Sequence, residues 1–381
     1  MLCRRFIGEI FLRPIFDSHL DLAWNALSYN RDLTLEVAEL RRREAGMTDA
    51  PARGHNTVTL PELHRAGVRV CVGTLLARSG PEQVFKPMYK RMDVDYATPT
   101  IASATAMGQL AFYELLERQG LIRILRTRGE LTECWNVAAQ KEHREQARGL
   151  NAESALGVIV SMEGTDPILE PGQLQYWWNR GLRAAGLAHF GRGRHAYGTR
   201  SDGPLSEEGI ALLKEFKRLG IILDVTHLCD RSMSQAMDLF DGPVLASHHN
   251  CRTIVPGDRQ LTDDQIRRLI SRDGVIGAAL DAAMIVPGWE RGKSSPDSVG
   301  LADLVKHIEH VCQLAGNAKH AAIGSDLDGG WGTEQTAGDL NTIADLQKLG
   351  ELLAGRGYNE AEIDQIFFGN WVRFFMGALP E

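Results

Sequence analysis

Long apolar runs, basic runs and paired cysteines are all missing from this chain, and each absence removes a class of protein. No stretch approaches the roughly 20 apolar residues that a membrane-spanning helix needs, so no membrane insertion is expected. Lys and Arg total 42 against 49 Asp and Glu, a net charge of −7, and no basic cluster is interleaved with aromatics. A surface that tracks nucleic-acid phosphates is therefore not expected. The six cysteines (Cys3, Cys71, Cys134, Cys229, Cys251 and Cys312) never fall in a Cys-x-x-Cys pair, which suits reduced thiols in a cytoplasmic enzyme better than a disulfide framework. Met1–Arg5 runs into Glu9 and Arg13 instead of a sustained apolar segment, and Leu379-Pro380-Glu381 is not a hydrophobic tail. Neither a secretion signal nor a lipid anchor is expected, and the predicted location is the cytoplasm. Low-complexity linkers and internal repeats are absent too.

What is present is an ordinary globular composition, 44% hydrophobic and 24% charged, over 381 residues. Short β-rich apolar runs alternate with longer helical patterns. Eight strands are predicted, at 14–20, 68–76, 156–162, 182–188, 220–226, 243–247, 274–280 and 320–325. Most gaps hold a helix, such as Ser206–Leu219, which Gly220 ends, and Thr262–Ser271, which opens on Thr262-Asp263-Asp264-Gln265 in the manner of a capping box. Eight alternating strands and helices are the pattern of a (β/α)₈ barrel of the TIM type. We therefore expect a single barrel domain over residues 1–381. Insertions are expected at about 25–65 and 80–150, the latter with periodic helical segments at 102–119 and 130–148.

In such a barrel the functional groups gather at the C-terminal ends of the strands, so each predicted end is a test. The first carries His19 and Asp21, which period-two alternation would point to one face. The others carry Glu163, His189, His227, His248, and Asp326 with Asp328. Any one of these residues alone is better read as a hydrogen-bonded structural group or a loop charge. Six of eight ends so furnished are another matter. His55, His64, His143, His195, His307, His310 and His320 lie elsewhere and are taken as structural, while His249 neighbours His248 but should face away. His19, Asp21, Glu163, His227 and His248 offer more ligands than one catalytic zinc needs, which suggests two metals with Glu163 as the bridge. Such a pair would hold a hydroxide for hydrolysis.

These residues sit in segments that resemble, in order, the signatures of the renal (membrane) dipeptidase family of metallopeptidases. The segments are Asp17-Ser18-His19-Leu20-Asp21-Leu22-Ala23-Trp24, Met162-Glu163-Gly164, Asp224-Val225-Thr226-His227, Ala246-Ser247-His248 and Ile323-Gly324-Ser325-Asp326-Leu327-Asp328-Gly329. The closing Gly369-Asn370-Trp371-Val372-Arg373-Phe374 is similar as well. The resemblance implies an amidohydrolase-type barrel with two Zn²⁺ per chain that hydrolyses small dipeptides, including those with a C-terminal D-residue. It also implies that His19 and Asp21 bind one zinc, His227 and His248 the other, and Glu163 both. Asp326 would be the general acid/base, His189 would stabilise the oxyanion, and Arg259 would hold the substrate carboxylate. Arg252, on the same loop, competes for that last role. Oligomeric state stays open, with a homodimer suggested by the family. The chain departs from the family at Gly164-Thr165-Asp166 and at 190–195, which leaves side-chain preference open. The alternative reading is an amidohydrolase of another substrate class on the same centre, an N-acyl amino acid deacylase or a lactam or lactone hydrolase.

Overall fold

A computed structural model of the protein describes residues 12–79, 94–141 and 155–381. Nine strands are seen among the described residues: β1 (Ile15–Leu20), β2 (Val68–Leu75), β3 (Ile122–Ile124), β4 (Leu156–Glu163), β5 (Leu182–Gly186), β6 (Ile222–Asp224), β7 (Val244–Leu245), β8 (Ile276–Ala278) and β9 (Ala321–Ile323). All eight predicted strands are among them, several shorter than expected. The unpredicted one, β3, adds to β4 on the edge opposite β2, ahead of β5; three residues within the long insertion are too few for a pattern to show. The strands pair in parallel, in a curled sheet ordered β1-β2-β4-β5-β6-β7 with β3 on β4, and in a second pair β8-β9. A lone parallel bridge between Ala246 and Ile276 leads from β7 to β8, and the Asp326 N–H donates to the His19 carbonyl at 3.2 Å.

Nearly every strand residue is buried, as parallel strands covered on both faces require. One face packs as a compact apolar layer of Phe16, Val70, Val72, Ile159, Ala184, Ile222, Leu245 and Ala322, closed below by Trp371 and Phe375 of the last helix. Phe375 stacks on Phe16 at 5.3 Å between ring centroids. Side chains alternate along a strand, so the same face next carries Ser18, Ser161, Asp224, Ser247 and Gly324. This second layer is small and polar. Ser18 Oγ donates to the Ser247 carbonyl at 2.5 Å, and Asp224 accepts from the N–H groups of Thr226 and Ser247. Two residues further on stand the polar groups of the strand ends.

The helices form where their capping chemistry says they should. Ser206 accepts from the Gly209 N–H, and the helix Glu207–Leu219 stops at Gly220 in the left-handed region at φ 72°. Thr262 and Gln265 make a reciprocal capping box on Asp263–Ser271. The insertion helices are Pro99–Arg118 and Arg128–Lys141; the rest of the expected 130–148 segment, with His143, lies outside the described residues. The 25–65 excursion is clamped from within by Arg31, bidentate to Glu44 at 2.8 and 3.0 Å, and is tied to the loop after β9 by Asp328. Asp328 accepts from Thr57 N–H and Oγ1 at 2.7 and 2.8 Å. Among the described residues no helix is long and apolar enough to cross a membrane.

Gly324 shows how tightly the polar layer is closed. A Cβ there would lie 1.8 Å from the Ser247 carbonyl oxygen and 2.6 Å from Ser18 Oγ. Gly324→Ala is expected to lower the urea-unfolding free energy by about 1–3 kcal/mol or more through overpacking. Gly108→Ala, in a helix where a Cβ meets nothing within 4 Å, should raise it by up to about 1 kcal/mol. Equal effects at the two positions would contradict this packing.

Candidate metal centre

The strand ends bring the predicted side chains to one point. Regular alternation does not carry β1 that far. Its register shifts between Asp17 and Leu20, and Asp21 already sits at the N-cap of the helix Leu22–Ser28. His19 and Asp21 still meet, with Nε2 and Oδ2 3.8 Å apart, because Asp17 Oδ1 accepts from the N–H groups of His19 and Ser325 and Thr74 Oγ1 donates to Asp21 Oδ1. His227 and Asp326 both have left-handed backbones, at φ 67° and 56°. For a non-glycine residue that conformation costs about 1–2 kcal/mol, and such strain is characteristic of functional positions.

Glu163, at the end of β4, is the centre of the arrangement. Its Oε1 lies 3.1 Å from His227 Nε2, 3.3 Å from His248 Nε2 and 3.7 Å from His189 Nε2. Its Oε2 lies 3.6 Å from His19 Nε2, which is 3.8 Å from Asp326 Oδ1. Each carboxylate oxygen thus addresses a different set of groups. All of these residues are buried except His189, which is partly buried.

Hydroxyl groups fix the imidazoles from behind. Thr199 Oγ1 donates to the His227 carbonyl and accepts from His227 Nδ1 at 3.0 Å. Ser247 Oγ lies 3.0 Å from His248 Nδ1, where it can accept an Nδ1 proton, and 3.4 Å from His19 Nδ1. With the Nδ1 protons so placed, the facing Nε2 atoms of His227 and His248, 3.2 Å apart, and Glu163 Oε1 all present lone pairs to one another. In that tautomer the converging acceptors suit a shared cation. The spacing fits as well: bonds of 2.0–2.1 Å to a tetrahedral zinc leave neighbouring ligand atoms about 3.3 Å apart. The buried His19 Nε2, which has no hydrogen-bond partner, faces the second such position beside Asp21, Asp326 and Glu163. The chemistry of these residues fits divalent metal.

Electrostatics agree. Burial holds His189, His227 and His248 well below the usual imidazole range, as neutral ligands must be. Burial also opposes charge on His19, but the carboxylates of Glu163, Asp21 and Asp326 raise it to about 10. Desolvation pushes Glu163 up to about 7, His19 opposing, and drives Asp326 well above the usual carboxylate range.

A cavity of about 870 Å³ opens on this cluster and is lined by Asp21, Glu163, His189, His227, His248, Arg259 and Asp326. Arg259 makes no ion pair among the described residues, and one of its terminal nitrogens is buried without a partner. Arg252 does not reach the cavity: its guanidinium is bidentate to Asp230 at 2.7 and 2.8 Å. His249 is turned away, its Nε2 accepting from the His227 N–H at 3.3 Å. The departures from the family pattern serve as braces. Asp166 accepts from the N–H groups of Ser79 and Arg194, and Thr165 meets His195 at 2.9 Å. Thr74, Thr199, Ser247 and Asp17 escaped the sequence reading. Only Asp17 and Ser247, each next to or two residues from a ligand, carried a signal there.

A family profile described as membrane dipeptidase, peptidase family M19, matches residues 118–378. An uncharacterized dipeptidase of Schizosaccharomyces pombe is 28% identical over 220 residues, 56% of this chain and 51% of that protein. The chain spans about half the length of the curated dipeptidases it matches. Two crystal structures share the fold over 97% of this chain and 100% of theirs at 21% identity. One is dipeptidase AC, a metallopeptidase of family M19, with a TM-score of 0.76. The other, with 0.72, is a Rhodobacter sphaeroides metallopeptidase liganded with a phosphinate mimic of the dipeptide L-Ala-D-Ala.

With His19 near 10 and Glu163 near 7, protons compete with metal in the metal-free protein. Calorimetric zinc titrations at pH 8 in buffers of different ionisation enthalpy should show release of at least one proton per protein, with affinity rising between pH 6 and 9. Binding without proton release, independent of pH, would contradict the ligand set.

Proposed function

Since the chain belongs to the membrane dipeptidase family, peptidase family M19, we propose that it is a metal-dependent dipeptidase built on a single (β/α)₈ barrel domain, with two zinc ions bridged by Glu163. The observation that carries this reading is the meeting of Glu163 Oε1 with the Nε2 atoms of His227 and His248, at 3.1 and 3.3 Å, inside a cavity that Arg259 also lines. His19 and Asp21 would hold one ion, His227 and His248 the other. When bound, the ions supply Lewis acidity, lowering the pKa of water and polarising the scissile carbonyl.

The chain's own residues do the rest. Arg259 offers a guanidinium fork to the substrate's C-terminal carboxylate and fixes the peptide bond over Glu163. His189, held neutral by burial, has an imidazole N–H to give to the oxygen of the carbonyl under attack. Asp326 takes the proton of the attacking water and delivers it to the leaving amine; burial, which favours its protonated form, makes it a stronger base for the first of these steps. The relative that carries an L-Ala-D-Ala mimic supports extending the substrates to a C-terminal D-residue.

Turnover of L,L- and L,D-dipeptides by zinc-loaded protein, against N-acetylated amino acids and a chelated control, tests the reading. Free dipeptides should be cleaved and the cleavage lost on chelation. Asp326→Asn should lower kcat about 10²–10⁴-fold. Cleavage of the acylated compounds alone would move the assignment to a deacylase, and turnover indifferent to chelation would refute the metal centre.

A further inference from the structure

Beside the metal cluster the cavity contains a cation for which the reading above has no use. Among the described residues four Arg and Lys side chains line the cavity: Arg200, Arg259, Arg291 and Lys293. Lys293 pairs with Glu290, and Arg291 donates to the Gly330 carbonyl and approaches Glu334 at 3.8 Å. Arg259 is assigned to the substrate's α-carboxylate. That leaves Arg200, an exposed residue whose guanidinium makes no ion pair among the described residues.

The backbone holds Arg200 in place with unusual care. It has a left-handed conformation, φ 62°, and its N–H donates to Asp258 Oδ2 at 2.6 Å. Asp258 is the residue before Arg259, so the two arginines are fixed to the same short loop. The residue before Arg200 is Thr199, whose hydroxyl accepts from His227 Nδ1. The guanidinium lies over the Phe190 ring, 5.4 Å from its centroid, and that ring is 5.0 Å from His227. A planar cation laid on an aromatic face keeps its edge free for a carboxylate.

We infer that Arg200 is a specificity residue that binds a side-chain carboxylate on the C-terminal residue of the substrate, so that acidic dipeptides of the Asp and Glu type are preferred. The inference rests on the dipeptidase reading and extends it. Arg259 lines the cavity with one terminal nitrogen buried and unpartnered, and its charge is felt by Asp326 and Glu163, which suits it to the α-carboxylate beside the reacting centre. A side-chain carboxylate projects one or two methylenes further from the scissile bond, toward the rim where Arg200 is anchored. A basic side chain would meet two unpaired arginines there, and a neutral one would leave the Arg200 charge unused.

The test compares kcat/KM for L-Ala-D-Asp and L-Ala-D-Glu with their isosteric amides L-Ala-D-Asn and L-Ala-D-Gln, and the same four with L-residues, in zinc-loaded wild type and Arg200→Met. The wild type should favour the acid over the amide at least tenfold, and the change should appear mainly in KM. Arg200→Met, which retains an apolar side chain over Phe190, should bring the ratio close to one, and Arg200→Lys should recover part of it. An acid-to-amide ratio near one in the wild type overturns the inference without any variant, and so does a ratio that Arg200→Met leaves unchanged. Cleavage of L-Ala-D-Ala without acidic preference would defeat this inference alone, whereas no cleavage of any dipeptide would defeat the dipeptidase reading beneath it.

Discussion

A carboxylate that cannot be solvated and cannot find enough protons is the constraint around which this protein is arranged. Glu163 is buried among four imidazoles and two further carboxylates, and its Oε1 faces two nitrogens whose own protons are already committed to Thr199 and Ser247. Left to itself such a cluster repels, and part of it takes up protons, as the elevated His19 and Glu163 values indicate. Divalent cations bound there would resolve the conflict.

The rest of the fold explains how the conflict is tolerated until metal arrives. Below the site lies a layer of small and polar residues tied by short hydrogen bonds, and below that an apolar layer sealed by Trp371 and Phe375. Rigidity there fixes the strand ends, so the left-handed turns at His227 and Asp326 are held instead of relaxing. The excursion over residues 25–65 contributes in the same way. Asp328, which looked from the sequence like a partner of Asp326, is instead the post that ties this excursion to the loop carrying Asp326.

Much of this was legible in the sequence because period, turn chemistry and ligand type are local properties. The eight long-range strands announced themselves as apolar runs, and the caps at Ser206 and Thr262 as short motifs. His19, Asp21, Glu163, His227 and His248 stood out because polar groups at strand ends are costly without a purpose. What was hidden is relational. β3 exists because β4 offers it an edge, not because Ile122–Ile124 has a pattern of its own. Thr74 and Thr199 are ordinary threonines until the fold sets one against Asp21 and the other against His227. What sets Arg252 apart from Arg259 is Asp230, which holds the Arg252 guanidinium and which no spacing rule connects to either.

The central claim is that Glu163 is shared by two metal ions, and diffraction from zinc-loaded crystals on either side of the zinc absorption edge tests it most directly. The account predicts two anomalous peaks about 3.5–4 Å apart. One should sit against His19 and Asp21 and the other against His227 and His248, with one oxygen of Glu163 on each. A single peak at full occupancy, or two peaks that do not share the Glu163 carboxylate, would contradict it.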